Sequence, residues 1–218
     1  MTQKRFDEYF AKAVLEYCFP KRFTDLRIAD KPDLHYGNEI GIEVTNCTPG
    51  DVREGFVRCR RVQACGELAS NCDLERIKQL KAVQITERGL IWNQGTYTEN
   101  IENSPLQTFI DAVACKVEKL NNPNANYAEL KSYELFVNSA LDIADSTGIW
   151  KTLSQLLSRI AQINIQARKF DFVYLTTINQ SLVIFDMKQG FAYIKHLYNR
   201  LEQMEKIAID LCRGVKIE

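Results

Sequence analysis

The chain has 218 residues, 45% hydrophobic and 26% charged, a balance that suits a globular protein with a real core and excludes a disordered, collagenous or coiled-coil one. Lys plus Arg and Asp plus Glu both number 28, so the formal net charge is zero and any nucleic-acid surface must be local. No apolar run approaches the roughly 18–20 residues that span a bilayer, and the opening MTQKRFDEYFAKAVLEY mixes acids with bases and has no apolar h-region. These features predict a cytoplasmic protein that makes no use of a membrane.

The cysteines agree with that setting. Seven of them, at 18, 47, 59, 65, 72, 115 and 212, make a poor basis for a disulfide framework. Four lie between 47 and 72, but the gaps are 11, 5 and 6 residues, with no CxxC pair and no histidine nearby. Structural zinc favours short knuckles, in which two neighbouring thiolates reach one tetrahedral ion. Buried free thiols are the expected state.

In chain order, the spacing predicts a helix from about Lys4 to Tyr17, with Phe6, Tyr9, Phe10, Ala13 and Tyr17 on one face and Pro20 ending it. Short extended runs follow at Leu26–Ile28, Leu34–Tyr36 and Glu39–Thr45, the last two joined at Gly37-Asn38 as a hairpin. Residues 47–105 read as an insertion packed on the main domain. It holds predicted helices at Val52–Gln63 and Leu74–Lys81, with Asp73 as N-cap, then strands at Val83–Thr86 and Leu90–Trp92 and a polar loop from Gly95 to Pro105.

Pattern returns at Pro105, which suits the first helical position, with Ser104 as cap. Leu106, Phe109, Ile110, Val113, Val117 and Leu120 then form one stripe, and Asn121-Asn122-Pro123 stops the helix. Tyr133–Val137 reads as a strand and Ile149–Ile163 as a helix with Ile149, Leu153, Leu156, Leu157 and Ile160 inward. Phe172–Thr176 and Ser181–Phe185 are strands around an Ile178-Asn179-Gln180 turn, and a final helix runs from about Phe191 to Cys212. Interleaved helices and strands predict one α/β domain whose central mixed sheet is covered on both faces.

The informative stretch is Asp33-Leu34-His35-Tyr36-Gly37-Asn38-Glu39-Ile40-Gly41-Ile42-Glu43-Val44-Thr45. Asp33 opens one strand and Glu43 sits within the next, and antiparallel neighbours lie roughly 5 Å apart, so both carboxylates can converge at one sheet edge. Such a pair is a hard-oxygen site of the kind Mg²⁺ (or Mn²⁺) takes together with waters and phosphate oxygens. Glu43 stands in an otherwise apolar run and shares strand parity with Gly41 and Thr45. On spacing alone, a solvated polar face is the competing explanation.

Pro32-Asp33 followed by Glu43-Val44-Thr45 resembles the PD-(D/E)XK nuclease superfamily, whose signature is a Pro-Asp pair and a downstream acid-x-Lys on adjacent strands. The resemblance implies a restriction-endonuclease-like fold, a three-layer α/β/α arrangement, and metal-dependent hydrolysis of phosphodiester bonds in DNA. It makes Asp33 and Glu43 the metal-binding acids. It also puts Thr45 where the lysine belongs, which is a departure.

Two readings follow from Thr45. Members of the superfamily move the lysine to another element, and Lys116, about 20° from Phe109 on the helix wheel, can point to the sheet edge, while Lys119 lies about 60° further toward solvent; a boundary lysine that merely snorkels to water is the competing explanation for Lys116. Alternatively, the chain is a catalytically inactive nuclease fold acting as a nucleic-acid or protein binding module. Glu16, at the border of the first helix's apolar face, is a further metal candidate by the same resemblance, with a solvated flank carboxylate as the competing explanation. Arg53, Arg58, Arg60 and Arg61 in the insertion can form a strip for phosphate contacts, although the insertion carries eight acids against eight bases and ion pairs would serve equally. A homodimer is an allowed state of such a protein.

Other chemistries lack their residues. Only His35 and His196 are present, neither in a nucleophile or metal motif, and no GxxxxGK[ST] or GxGxxG occurs.

Overall fold

The computed structural model describes residues 3–48, 83–86, 89–92, 106–139, 141, 148–177, 181–198, 200–212 and 214, without the side chains of 3–4 and 83–92. The chain divides into two compact units, Met1–Cys47 with Phe109–Glu218, and Thr48–Thr108. In the second, strands β4 (Val83–Thr86) and β5 (Gly89–Trp92) pair antiparallel, Val83 opposite Trp92. The expected helices at 52–63 and 74–81, the loop at 95–105 and all four candidate arginines lie outside the described residues.

The first unit is built on one seven-stranded mixed sheet. Its elements are α1 (Gln3–Cys18), β1 (Arg27–Ile28), β2 (Leu34–Tyr36), β3 (Ile40–Asn46), α2 (Leu106–Asn121), β6 (Ser132–Asn138), α3 (Ile149–Ile163), β7 (Phe170–Thr177), β8 (Ser181–Asp186), β9 (Phe191–His196) and α4 (Arg200–Cys212). The strand order is β1-β2-β3-β6-β7-β8-β9. The β3–β6 and β6–β7 pairs are parallel and the rest antiparallel. Parallel neighbours need a long crossover, and α2 and α3 lie in the two crossovers. The α/β expectation, with helices flanking a mixed sheet, is met at that level.

Strand alternation assigns the faces. Ile42 and Val44 of β3, Phe136 of β6, Tyr174 of β7 and Ile184 of β8 form one core with Phe10, Val14 and Leu15 of α1 and Met204 and Ala208 of α4. Glu43, one residue out of phase, points to the opposite side and meets α2, whose Phe109 stacks on Phe185 of β8 at 5.8 Å. Buried side chains of this size contribute roughly 1.5–3 kcal/mol each.

Two expectations change. The apolar face of α1 is wider than expected: Phe10 and Ala13 are buried as expected, Ala11, Val14 and Leu15 join them, and Tyr17 alone of the expected face is largely exposed, at 52%. Phe6 and Tyr9 pack against the same core, which the aliphatic residues at 11, 14 and 15 extend. The last helix is also shorter than expected, because Phe191–His196 is strand β9, antiparallel to β8 with Ile184 opposite Tyr193. Phe191, Ile194, Tyr198 and Leu201 have helical spacing by coincidence. The deciding signal is the turn before them: Asp186 accepts the backbone N–H groups of Lys188 (3.0 Å) and Gln189 (2.9 Å), and Gly190 takes φ +73°. Tyr198, at φ +37°, separates β9 from α4.

No helix among the described residues is long and apolar enough to cross a membrane.

Candidate metal centre

The site begins where β2 runs out. Leu34 pairs with Ile42, so the next backbone N–H of β3 on that side, at Val44, has no strand partner. The Asp33 side chain supplies one, accepting the Val44 N–H at Oδ2 over 2.9 Å. Asp33 is thereby fixed against the peptide that follows Glu43, and both carboxylates are buried, at 3% and 1% exposure.

Packing behind the pair is tight. A Cβ on Gly41 would fall 2.4 Å from Pro32 Cγ and 2.5 Å from Leu130 Cδ1, so only glycine lets the Pro32 ring lie over β3 beside Asp33. The 29–33 loop is also tied down by the Ala29 N–H to the Asp33 carbonyl (2.9 Å) and the Ala128 N–H to the Lys31 carbonyl (3.1 Å).

Helix α2 brings two cations to Glu43. Lys116 Nζ donates to Glu43 Oε2 at 2.6 Å, and Lys119 Nζ lies 3.6 Å from the same oxygen. The position of Lys116 is the one its place on the helix wheel suggests. Lys119 departs from the expected outward direction: its Cα is further round, but its long stem bends back to the buried charge while the side chain stays 44% exposed.

Tyr127 completes the site, and sequence reasoning missed it. After α2, Asn122 caps the Pro123–Ala125 turn, accepting the Asn124 N–H at 2.9 Å, and Asn126 takes the left-handed φ of +53°. This reversal returns the chain to the β2–β3 edge. Lys119 Nζ sits 5.8 Å from the Tyr127 ring centroid. Burial, and then the negative charge and proximity of Glu43, hold the Tyr127 phenol well above its ordinary pKa, with Asp33 and Asp30 adding to the effect. The Tyr127 hydroxyl and Glu43 Oε1 are nonetheless both buried without a hydrogen bond of ordinary geometry. An asparagine-rich turn directly after the lysine-bearing helix was the available signal.

The remaining candidates sit differently. Thr45 is half-buried on β3 with the parity of Glu43, opposite Val137 of β6. Glu16 is engaged elsewhere: its Oε1 accepts Lys12 Nζ at 2.5 Å and the Leu26 N–H at 2.8 Å, on the α1 side of the sheet. His35 is half-buried on β2, opposite Gly41, with its pKa pushed down by burial. His196 shares a 3.0 Å hydrogen bond with Ser181 through Nδ1. Cys18, Cys115 and Cys212 are free thiols, Cys47 is buried, and Cys59, Cys65 and Cys72 lie outside the described residues.

Among the described residues no group of three or more His, Cys, Asp or Glu side chains is arranged to hold a metal ion. Asp33 and Glu43 alone suit a hard cation that keeps most of its waters, since Mg²⁺ is commonly held by one or two carboxylates. The orphaned Glu43 Oε1 is a buried anionic acceptor of the right chemistry. No family model, curated protein or solved structure matches this chain.

Proposed function

We propose that this chain is a metal-dependent nuclease with a restriction-endonuclease-like, three-layer α/β/α fold that hydrolyses phosphodiester bonds in DNA. One observation carries the reading: the Lys116 ammonium on α2 lies 2.6 Å from Glu43, where it could serve as the cation that Thr45 does not supply. Support also comes from the hairpin of β2 and β3, whose neighbouring strands carry Asp33 at one end and Glu43 within the other, and from the parallel placement of β6 beside β3.

Asp33 and Glu43 would hold Mg²⁺ or Mn²⁺, which supplies Lewis-acid polarisation of the phosphate and a bound water of lowered pKa. Lys116 offsets the charge that builds on the phosphate as the water oxygen bonds to phosphorus and the ester oxygen leaves. Lys119, half in solvent, adds positive potential at the mouth of the site. The Thr45 hydroxyl can hydrogen-bond a water but carries no charge. Arg53, Arg58, Arg60 and Arg61 would contribute sequence-independent phosphate contacts.

A second reading, an inactive nuclease fold that binds nucleic acid or protein, is favoured by the closed Lys116–Glu43 pair, which already neutralises the essential acid. The deciding experiment offers single- and double-stranded DNA and RNA with Mg²⁺ or Mn²⁺ to wild type and to Glu43→Gln. Metal-dependent cleavage lost by orders of magnitude in the variant supports the enzyme. Equal activity in both assigns the cleavage to a contaminant, and metal-independent binding without cleavage favours the module.

A further inference from the structure

Much of the negative charge at the site is offset before any metal arrives. Asp33 and Glu43 bring two buried carboxylates, and Lys116 and Lys119 bring two ammonium groups to Glu43 Oε2. Asp33 Oδ2 is committed to the Val44 N–H. A divalent cation approaching this cluster meets little net negative potential, and it meets a fixed positive charge 2.6 Å from one oxygen of its best ligand. Like charges sharing one buried carboxylate repel strongly, because the surroundings screen them far less than water does.

We propose that Lys116 is the exchangeable counter-ion of Glu43: its ammonium and a divalent cation compete for this carboxylate, and metal loading releases Lys116 to face the phosphate. The proposal rests on Glu43 being a metal ligand, as in the reading above. The geometry allows the exchange. Glu43 Oε1 makes no hydrogen bond of ordinary geometry, and the Tyr127 hydroxyl beside Glu43 is a neutral group, so a cation can first engage that oxygen while Lys116 still holds Oε2. Lys116 is 15% exposed, which leaves its flexible stem a route outward, and Lys119 beside it on α2 can follow the same path. Before loading, Lys116 keeps a buried carboxylate paired, and the same group becomes available when a metal takes over that task.

The test measures metal affinity without nucleic acid. Mn²⁺ binding by calorimetry, with Tb³⁺ emission sensitised by the Tyr127 ring as a second readout, is compared across wild type, Lys116→Gln, Lys119→Gln and Glu43→Gln. Lys116→Gln should bind Mn²⁺ about ten- to a hundredfold more tightly than wild type, because an amide keeps a contact to Glu43 without the repelling charge. Lys119→Gln should show a smaller gain, and Glu43→Gln should lose binding. In wild type, Mg²⁺ titration should shift the ¹⁵N signal of Lys116 Nζ as the pair opens; this measurement decides alone if Lys116→Gln does not fold. Equal or weaker metal binding by folded Lys116→Gln, or a Lys116 signal unmoved at saturating Mg²⁺, overturns the exchange. A gain in Lys116→Gln with no cleavage by wild type keeps the exchange and removes the nuclease. Cleavage abolished by Glu43→Gln, with affinity unchanged in Lys116→Gln, does the reverse.

Discussion

Lys116 and Glu43 stand 73 residues apart in sequence and 2.6 Å apart in space, joined across the junction of α2 and β3. Lys116→Ala leaves Glu43 buried with only the longer Lys119 contact. Breaking one side of a buried pair costs about 3–5 kcal/mol, at the lower end here because Lys119 remains. Chemical denaturation should show that loss, and any metal-dependent cleavage should fall about 10²–10³-fold. Lys119→Ala should cost under about 1 kcal/mol, as expected for a half-exposed ion pair.

Gly41→Ala should destabilise the protein by about 1–3 kcal/mol through overpacking. The Pro32 ring cannot yield as a flexible side-chain tip would, and Pro32 directly precedes Asp33. Metal affinity should therefore drop along with the melting temperature. An unchanged melting temperature would show that Leu130 and the 29–33 loop yield freely.

Tyr127→Phe removes a buried hydroxyl that makes no ordinary hydrogen bond and keeps the ring beneath Lys119. Leaving such a group unsatisfied costs about 1–3 kcal/mol, so the variant should be as stable as wild type or more so. A clear loss of stability would show that the hydroxyl is bonded to Glu43 in solution.

Glu134 gives the pH prediction. This fully buried carboxyl on β6 accepts hydrogen bonds from Arg22 and from the Tyr174 hydroxyl, the latter at 2.8 Å. Burial outweighs the Arg22 charge and the Tyr174 hydrogen bond and raises its pKa from 4.5 to about 7. A folded-state value above the unfolded one means the native protein binds the proton more tightly. Its protonation therefore stabilises the fold fully below about pH 4.5, and that gain fades as pH rises through about 7. The stability difference between wild type and Glu134→Gln should shift toward wild type between pH 8 and pH 5. Denaturation curves whose difference stays constant over that range would show Glu134 ionised throughout.

Much of this arrangement was readable in the sequence, for definite reasons. The alternation Ile40, Ile42, Val44 against Gly41, Glu43, Thr45 fixed the faces of β3, and a seven-residue step from Phe109 placed Lys116 at the border of α2's buried stripe. Strand β9 was hidden because its apolar spacing imitates a helix, and only the Asp186–Gly190 turn tells them apart. Lys119 was misdirected because a helix wheel locates Cα atoms, whereas a lysine head follows charge over several bonds. Tyr127 had no periodic pattern to reveal it. It reaches Glu43 through a turn, and the path of a turn depends on its dihedral angles more than on which residue types follow it.

Asp33 carries two obligations of different kinds. Its carboxylate is the last rung of the β2–β3 ladder as well as a candidate metal ligand, since it takes the Val44 N–H where the strand partner ends. Glu43 has no such backbone duty. The two acids are therefore unequal under mutational drift. A related chain without the proposed metal chemistry could carry apolar residues in place of Glu43 and its lysines, yet it would still need a hydrogen-bond acceptor such as asparagine at position 33. An acceptor at 33 would then record the architecture of the hairpin, whether or not a metal were ever bound beside it.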